Sequence, residues 1–262
     1  MAKLVDSAWL SARLESKEIV VVDPRRPMKY LSGHLPGAIN IPMYQAFGAD
    51  GKLPGPAALA EFIGGAGLGD SITPVLYDSP EGQNAAMLAW ILEFLGRRDV
   101  LILDDYYENW KESGGEVRYK PVAAPPVKFT AHENPAIRVT SNQISGETGL
   151  KLVDFRSREE FSGEKAIGDD LPGHIPGAVN LVWRELGSPP ERILAPREKI
   201  AKLFAGAGLK PGDRVVAYCR SGPRAALGYL ALKDAGYDVR LFDGSFAEWS
   251  RSGLPVEKDE KS

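Results

Sequence analysis

The chain has 262 residues, 44% of them hydrophobic, with 32 Lys+Arg against 35 Asp+Glu and a formal net charge of −3. That length exceeds one typical α/β domain of about 100–200 residues, so two domains are expected. The near-neutral balance exerts no long-range pull on nucleic acid or anionic membrane, and any basic surface has to be local and suited to a small anion.

The longest apolar runs, Ile19 to Val22 and Met87 to Leu92, fall far short of the ~20 residues that span a bilayer. Charge and Trp9 follow Met1 at once with no apolar h-region, which favours the cytoplasm over export. A single cysteine, Cys219, excludes an internal disulfide and a Cys-rich metal site, and three scattered histidines offer no ligand spacing. Nothing in the residues calls for a metal, nucleotide or flavin cofactor.

The chain is written twice. Gly33 to Pro42 recurs as Gly173 to Val182 with six identical and three conservatively changed positions. Ile19 to Asp23 matches Leu150 to Asp154, and Asp104 through Trp110 and Gly114 matches Asp243 through Trp249 and Gly253. The offsets place about nine extra residues in the second copy, in the polar stretch Gly163 to Leu171.

In the first copy, strands are predicted at Val20–Val22, Pro74–Tyr77 and Val100–Leu103, with a helix from Ala85 to Leu95 closed by Gly96. Tyr119 to Val127, with three prolines, reads as an extended, solvated connector. The domains are therefore expected at 1–120 and 135–262, joined by a linker at 121–134. In the second copy, strands are predicted at Lys151–Val153, Val215–Tyr218 and Val239–Phe242, with a helix from Ala225 to Ala235 closed by Gly236. Glu257 to Ser262 reads as a frayed tail. The class is α/β: two similar domains, each a mainly parallel open sheet flanked by helices.

In such sheets ligands sit beyond the carboxyl ends of the strands. Those ends present Asp154, Cys219 and Asp243 in the second copy, and Asp23, Asp78 and Asp104 in the first. One copy has a nucleophile and the other lacks it. Cys219 precedes Arg220, Ser221, Gly222, Pro223 and Arg224 and then a helix, so backbone N–H groups, the helix dipole and two guanidinium groups favour a thiolate there. A lone cysteine after a buried strand can also be a small core residue, but Arg-Ser-Gly-Pro-Arg is a poor core sequence. His34 and His174 occur in both copies, which assigns them to a turn or the core rather than catalysis, and Trp110 and Trp249 read as packing for the same reason.

The paired Gly-His-x-Pro-Gly-Ala-x-Asn segments, the loop Cys219 to Arg224 and the closing Asp243 to Trp249 resemble the tandem rhodanese-domain sulfurtransferases over nearly the whole chain. The resemblance implies an inactive first copy with Asp78 in place of cysteine. It also implies a catalytic Cys219 that takes a sulfane sulfur from a donor such as thiosulfate, holds it as a persulfide and passes it to a thiophilic acceptor such as cyanide or a thiol. Arg220, Ser221, Gly222 and Arg224 are then substrate-binding. Asp154 and Arg156 are supporting, Arg156 either ordering the site or forming an ordinary buried ion pair, and Arg158 is surface charge. The protein is expected to work as a monomer on a small anionic donor.

Arg220 stands where mercaptopyruvate-using relatives carry a small residue, which favours thiosulfate. Pro223 removes one backbone donor from the loop. Glu160 stands where a basic substrate contact is common, and its carboxylate would repel the donor if it faced the site. Cysteine-dependent phosphatases resemble Cys-x5-Arg, one residue longer than the loop here. A non-enzymatic persulfide carrier would need Cys219 equally. In the first copy, Asp78 is expected to cap the following helix, and the domain to be a structural wall of the cleft.

Overall fold

The structure is a computed structural model that describes residues 2–168, 171–187 and 192–259. The chain divides into two compact units. Unit 1 runs to Asn134 and also includes Arg192 and Ile193; unit 2 starts at Pro135 and holds the remainder.

Unit 1 carries β1 (Lys3–Val5), α1 (Ser7–Ser11), β2 (Ile19–Asp23), α2 (Pro27–Leu31), β3 (Ile39–Asn40), α3 (Pro56–Gly65), β4 (Thr73–Asp78), α4 (Gln83–Phe94), β5 (Leu101–Tyr106) and α5 (Tyr107–Glu112). Its strands form a parallel sheet in the order β1-β5-β4-β2-β3. The Val/Ile/Leu-rich runs are central strands because both faces are covered. Val21, Val75, Tyr77 and Leu103 pack with Trp110, while α4 is buried from Ala85 to Phe94.

Unit 2 carries α6 (Ser141–Gly146), β6 (Leu150–Asp154), α7 (Arg158–Ser162), β7 (Val179–Asn180), α8 (Arg197–Gly206), β8 (Arg214–Tyr218), α9 (Pro223–Asp234), β9 (Asp238–Leu241) and α10 (Ser245–Trp249). Its parallel sheet has the order β7-β6-β8-β9. The six predicted strands and two predicted helices are all present, and Gly96 and Gly236 close α4 and α9 at φ +94° and +87°. The sequence reading missed β1, whose three residues pair with β5; at the matching edge of unit 2 the chain makes only a bridge from Arg138 to Leu241.

Two expectations change. The connector is extended, but only in part solvated: Val127 donates to the Gly64 carbonyl, Thr130 to Asp70, and His132 and Asn134 to the end of α4, with Phe129 buried. Carbonyl acceptors left over at the C-terminal ends of α3 and α4 hold it to unit 1. The tail is likewise tied at Glu257, which pairs antiparallel with His174 and accepts from the Gly177 N–H. Residues 260–262 of that tail, and Asp169 and Asp170 of the extra stretch, lie outside the described residues.

Candidate active site

Cys219 follows the last residue of β8 and is 1% exposed. The chain then reverses through Gly222, at φ +107° and ψ −54°, into α9. A side chain at Gly222 would be strained in that conformation, and this turn aims the Gly222 N–H at Cys219 Sγ, 3.2 Å away. Pro223 opens α9 where an N–H has no helical partner, so its missing donor costs the helix nothing. Gly228 lets α9 lie on the Phe155 ring, since a Cβ there would come within 2.3 Å of it.

The loop is held from behind by the start of α10. Ser245 Oγ accepts from the Cys219 N–H at 3.2 Å and donates to the Phe242 carbonyl at 2.8 Å. Phe246 N–H donates to the Cys219 carbonyl and Ala247 N–H to the Arg220 carbonyl, both at 3.0 Å. Ser245 sits at φ +53°, the one non-glycine residue in the left-handed region among the described residues. Such a conformation costs about 1–3 kcal/mol and persists where the surroundings enforce it. Ser245 and Phe246 were not singled out from the sequence; their backbone geometry leaves no compositional trace.

Asp154 and Arg156 form a buried bidentate pair, with contacts of 2.6 to 3.0 Å, and Arg156 also donates to the Gly173 carbonyl. Burial works against the guanidinium charge, but the charge and hydrogen bonds of Asp154 outweigh it and hold the arginine protonated. The Arg156 guanidinium lies 4.0 Å over the Phe246 ring, the residue whose N–H grips Cys219. The same arrangement recurs in unit 1, where Arg25 pairs with Asp23, donates to the Gly33 carbonyl and lies against Tyr77 and Tyr107. Repetition in the copy without a cysteine marks the pair as scaffold that reaches the loop through Phe246.

Glu160 is 2% exposed and bound to Arg224 by two hydrogen bonds, 2.6 and 2.9 Å. Burial acts to raise its pKa, but the Arg224 hydrogen bonds and charge prevail and hold Glu160 below the usual carboxylate range. The carboxylate is thus committed to an arginine of the loop. Its position was signalled by Ser157-x-x-Glu160, a capping box that the structure contains. Arg220 donates to the Gly168 carbonyl at 3.0 Å, and Arg158 is largely exposed. Ser221 completes the turn between Arg220 and Gly222. Asp243 is gripped by Arg138 through two 2.8 Å hydrogen bonds, which anchors the entry to α10.

In unit 1 the Cys219 position is held by Asp78. It accepts from the N–H groups of Ser79, Asn84 and Ala85 at 2.8 to 3.0 Å, and so caps α4. Burial pushes its pKa up to about 6 against those hydrogen bonds. Asp104 pairs with Arg192, and Ile193 lies beside Gly82 at the start of α4. His34 and His174 each stack on an aromatic, Tyr30 and Phe161, with Nδ1 near a backbone carbonyl. The indoles of Trp110 and Trp249 are buried and donate to Glu116 and Pro255 carbonyls. These repeated residues build turns and core.

Comparison with known proteins agrees with this construction. The rhodanese-like domain family matches residues 6–113 and 140–252. A thiosulfate sulfurtransferase of Corynebacterium glutamicum is 33% identical over 99% of this chain and 92% of its own. A Pseudomonas aeruginosa protein named "probable 3-mercaptopyruvate sulfurtransferase" is 32% identical over 95% of each chain. The crystal structure of SseA from Escherichia coli, described as a 3-mercaptopyruvate sulfotransferase with the rhodanese fold, superposes with a TM-score of 0.85 at 27% identity, covering 94% of this chain and 99% of that one. With a rhodanese domain in each half and full-length relatives of that kind, the chain belongs to the rhodanese family and is a sulfurtransferase.

Proposed function

We propose that the chain moves a sulfane sulfur from thiosulfate to a thiophilic acceptor, cyanide or a thiol, through a persulfide on Cys219. The observation that carries this reading is the Gly222 N–H directed at Cys219 Sγ at the mouth of α9, in the copy that has the thiol. The Cys219 thiolate attacks the outer sulfur of thiosulfate, and the S–S bond breaks with its electron pair leaving on sulfite. Cyanide or a thiolate then attacks the outer sulfur of the persulfide, and Cys219 leaves as thiolate. Product is thiocyanate or a new persulfide, and the enzyme is restored.

Arg220, Ser221, Gly222 and Arg224 form the donor-binding loop in this reading, and Asp154 and Arg156 brace it from beneath through Phe246. Arg220 beside the nucleophile supports thiosulfate as donor. The second reading, 3-mercaptopyruvate, is favoured by the name of the P. aeruginosa relative and the description of SseA. Among the described residues no helix is long and apolar enough to cross a membrane. The proposed setting is the cytoplasm, where acceptor thiols stay reduced, with the protein acting as a monomer.

Intact-mass spectrometry of wild type and Cys219→Ser after exposure to each donor tests this. Wild type alone should gain about 32 Da, one sulfur, and lose it to cyanide as thiocyanate. The faster-loading donor is the substrate. Absence of an adduct with either donor overturns the reading.

A further inference from the structure

The two copies share one buried carboxylate–arginine pair and differ in another. Asp154–Arg156 has its counterpart in Asp23–Arg25. Glu160–Arg224 has none: the residues at the matching places of unit 1 are Lys29, which is exposed, and Asn84, whose side chain bonds Asp78. The second pair therefore occurs only with the thiol.

Its geometry ties it to the nucleophile. Arg224 lies two residues beyond Gly222, in the first turn of α9, within electrostatic reach of Cys219. Glu160 is fixed by the α7 capping box, with its N–H on Ser157 Oγ and its carboxylate on the Ser157 N–H, so it meets Arg224 with both oxygens already aimed. Around the loop, Arg156 is balanced by Asp154 and Arg224 by Glu160. An arriving anion meets a full negative charge behind each of these guanidinium groups.

We propose that Glu160 is a specificity-determining residue that acts through Arg224: by claiming its guanidinium fork, the buried carboxylate lowers the positive charge offered to the donor and so penalises donors in proportion to their negative charge. The inference rests on Cys219 being the sulfur-accepting nucleophile. Charge–charge energy scales with the charge of the ligand. A dianion feels the removal of Glu160 twice as strongly, on a logarithmic scale, as a monoanion of similar size.

The test is steady-state kinetics of Glu160→Gln, Arg224→Gln and the double variant with two donors, thiosulfate as dianion and benzenethiosulfonate as monoanion. For E160Q the KM should fall about tenfold for thiosulfate and about threefold for benzenethiosulfonate. For R224Q both should rise in the same two-to-one logarithmic ratio, and the double variant should fall between the single variants for each donor. A clamp with a merely structural role would alter both donors equally or lower kcat alone, and either result overturns the inference. If E160Q fails to fold, the R224Q ratio decides by the same criterion. Failure of wild type to load sulfur from any donor would instead sink the role of Cys219, and is read separately by intact mass.

Discussion

Asp78 gives the sharpest check on the physics of the degenerate copy. Three backbone N–H groups favour its ionised form, yet complete burial opposes it and the carboxyl titrates near 6 instead of its ordinary 3.8. A carboxyl whose folded pKa lies above its unfolded value binds protons more readily in the folded state, so it lends stability at low pH and loses it as pH rises from about 4 to 6. At pH 7.5 the group is ionised in both states and this term vanishes. At pH 5 the folded chain holds about 0.9 proton and the unfolded chain under 0.1, which integrates to about 1.4 kcal/mol of added stability. Asp78→Asn keeps an acceptor for the N–H groups of Asn84 and Ala85 but cannot titrate. Urea denaturation of both proteins at pH 5.0, 6.0 and 7.5, with unit 1 followed by pulsed hydrogen exchange in α4, isolates the term by subtraction. The wild-type minus variant stability should rise by about 1.4 kcal/mol on acidification from pH 7.5 to 5.0. A difference flat to within about 0.3 kcal/mol, or one that falls, would show that the cap outweighs burial and refute the argument.

Three further outcomes are expected. Asp78→Cys in a Cys219→Ser background should acquire no sulfur by intact mass, because the unit 1 loop is one residue longer and Ile193 packs beside its helix start; a donor-dependent adduct there would contradict this. Ser245→Ala leaves the buried Cys219 N–H without its acceptor, at a cost of about 1–3 kcal/mol, and should slow persulfide formation. Ser245→Gly relieves the backbone but not that loss, so its stability should recover in part while its loading rate stays low; full recovery of the rate would show that the hydroxyl is dispensable. Arg25→Met and Arg156→Met each strand a buried carboxylate, costing about 3–5 kcal/mol, but only the second should slow sulfur loading per folded molecule.

Most of the fold was legible because the chain states it twice. Parallel strands buried on both faces leave continuous apolar runs, and glycine past each long helix marks where the chain turns left-handed. Marginal pairing was not legible: β1 has three residues and β3 and β7 have two, too short for periodicity to register. The connector misled because three prolines predict an extended course without saying whether its donors meet water or the end of α4. At the site, Cys219 and its loop could be read from residue type and place. The partner of Glu160 could not, since the same carboxylate on a five-residue helix can face solvent, the donor or an arginine, and the capping box fixes only the backbone end of that choice.

The comparison between copies separates what the sheet needs from what the thiol needs. A buried pair beneath the strand ends, an aromatic stacked on a histidine, and an indole bonded to a carbonyl recur in both units. Removing any one would expose an unmatched polar group in a packed interior, so each is held by folding alone. The features by which unit 2 departs from unit 1 converge on one residue: Gly222 N–H on Sγ, Ser245 Oγ on the Cys219 N–H, and a charge-matched Arg224 nearby. In unit 1 the corresponding helix start is satisfied by a carboxylate that is part of the chain. In unit 1 the Asn84 and Ala85 N–H groups at the helix start are taken by the chain's own carboxylate, whereas in unit 2 the Gly222 N–H is directed at the sulfur.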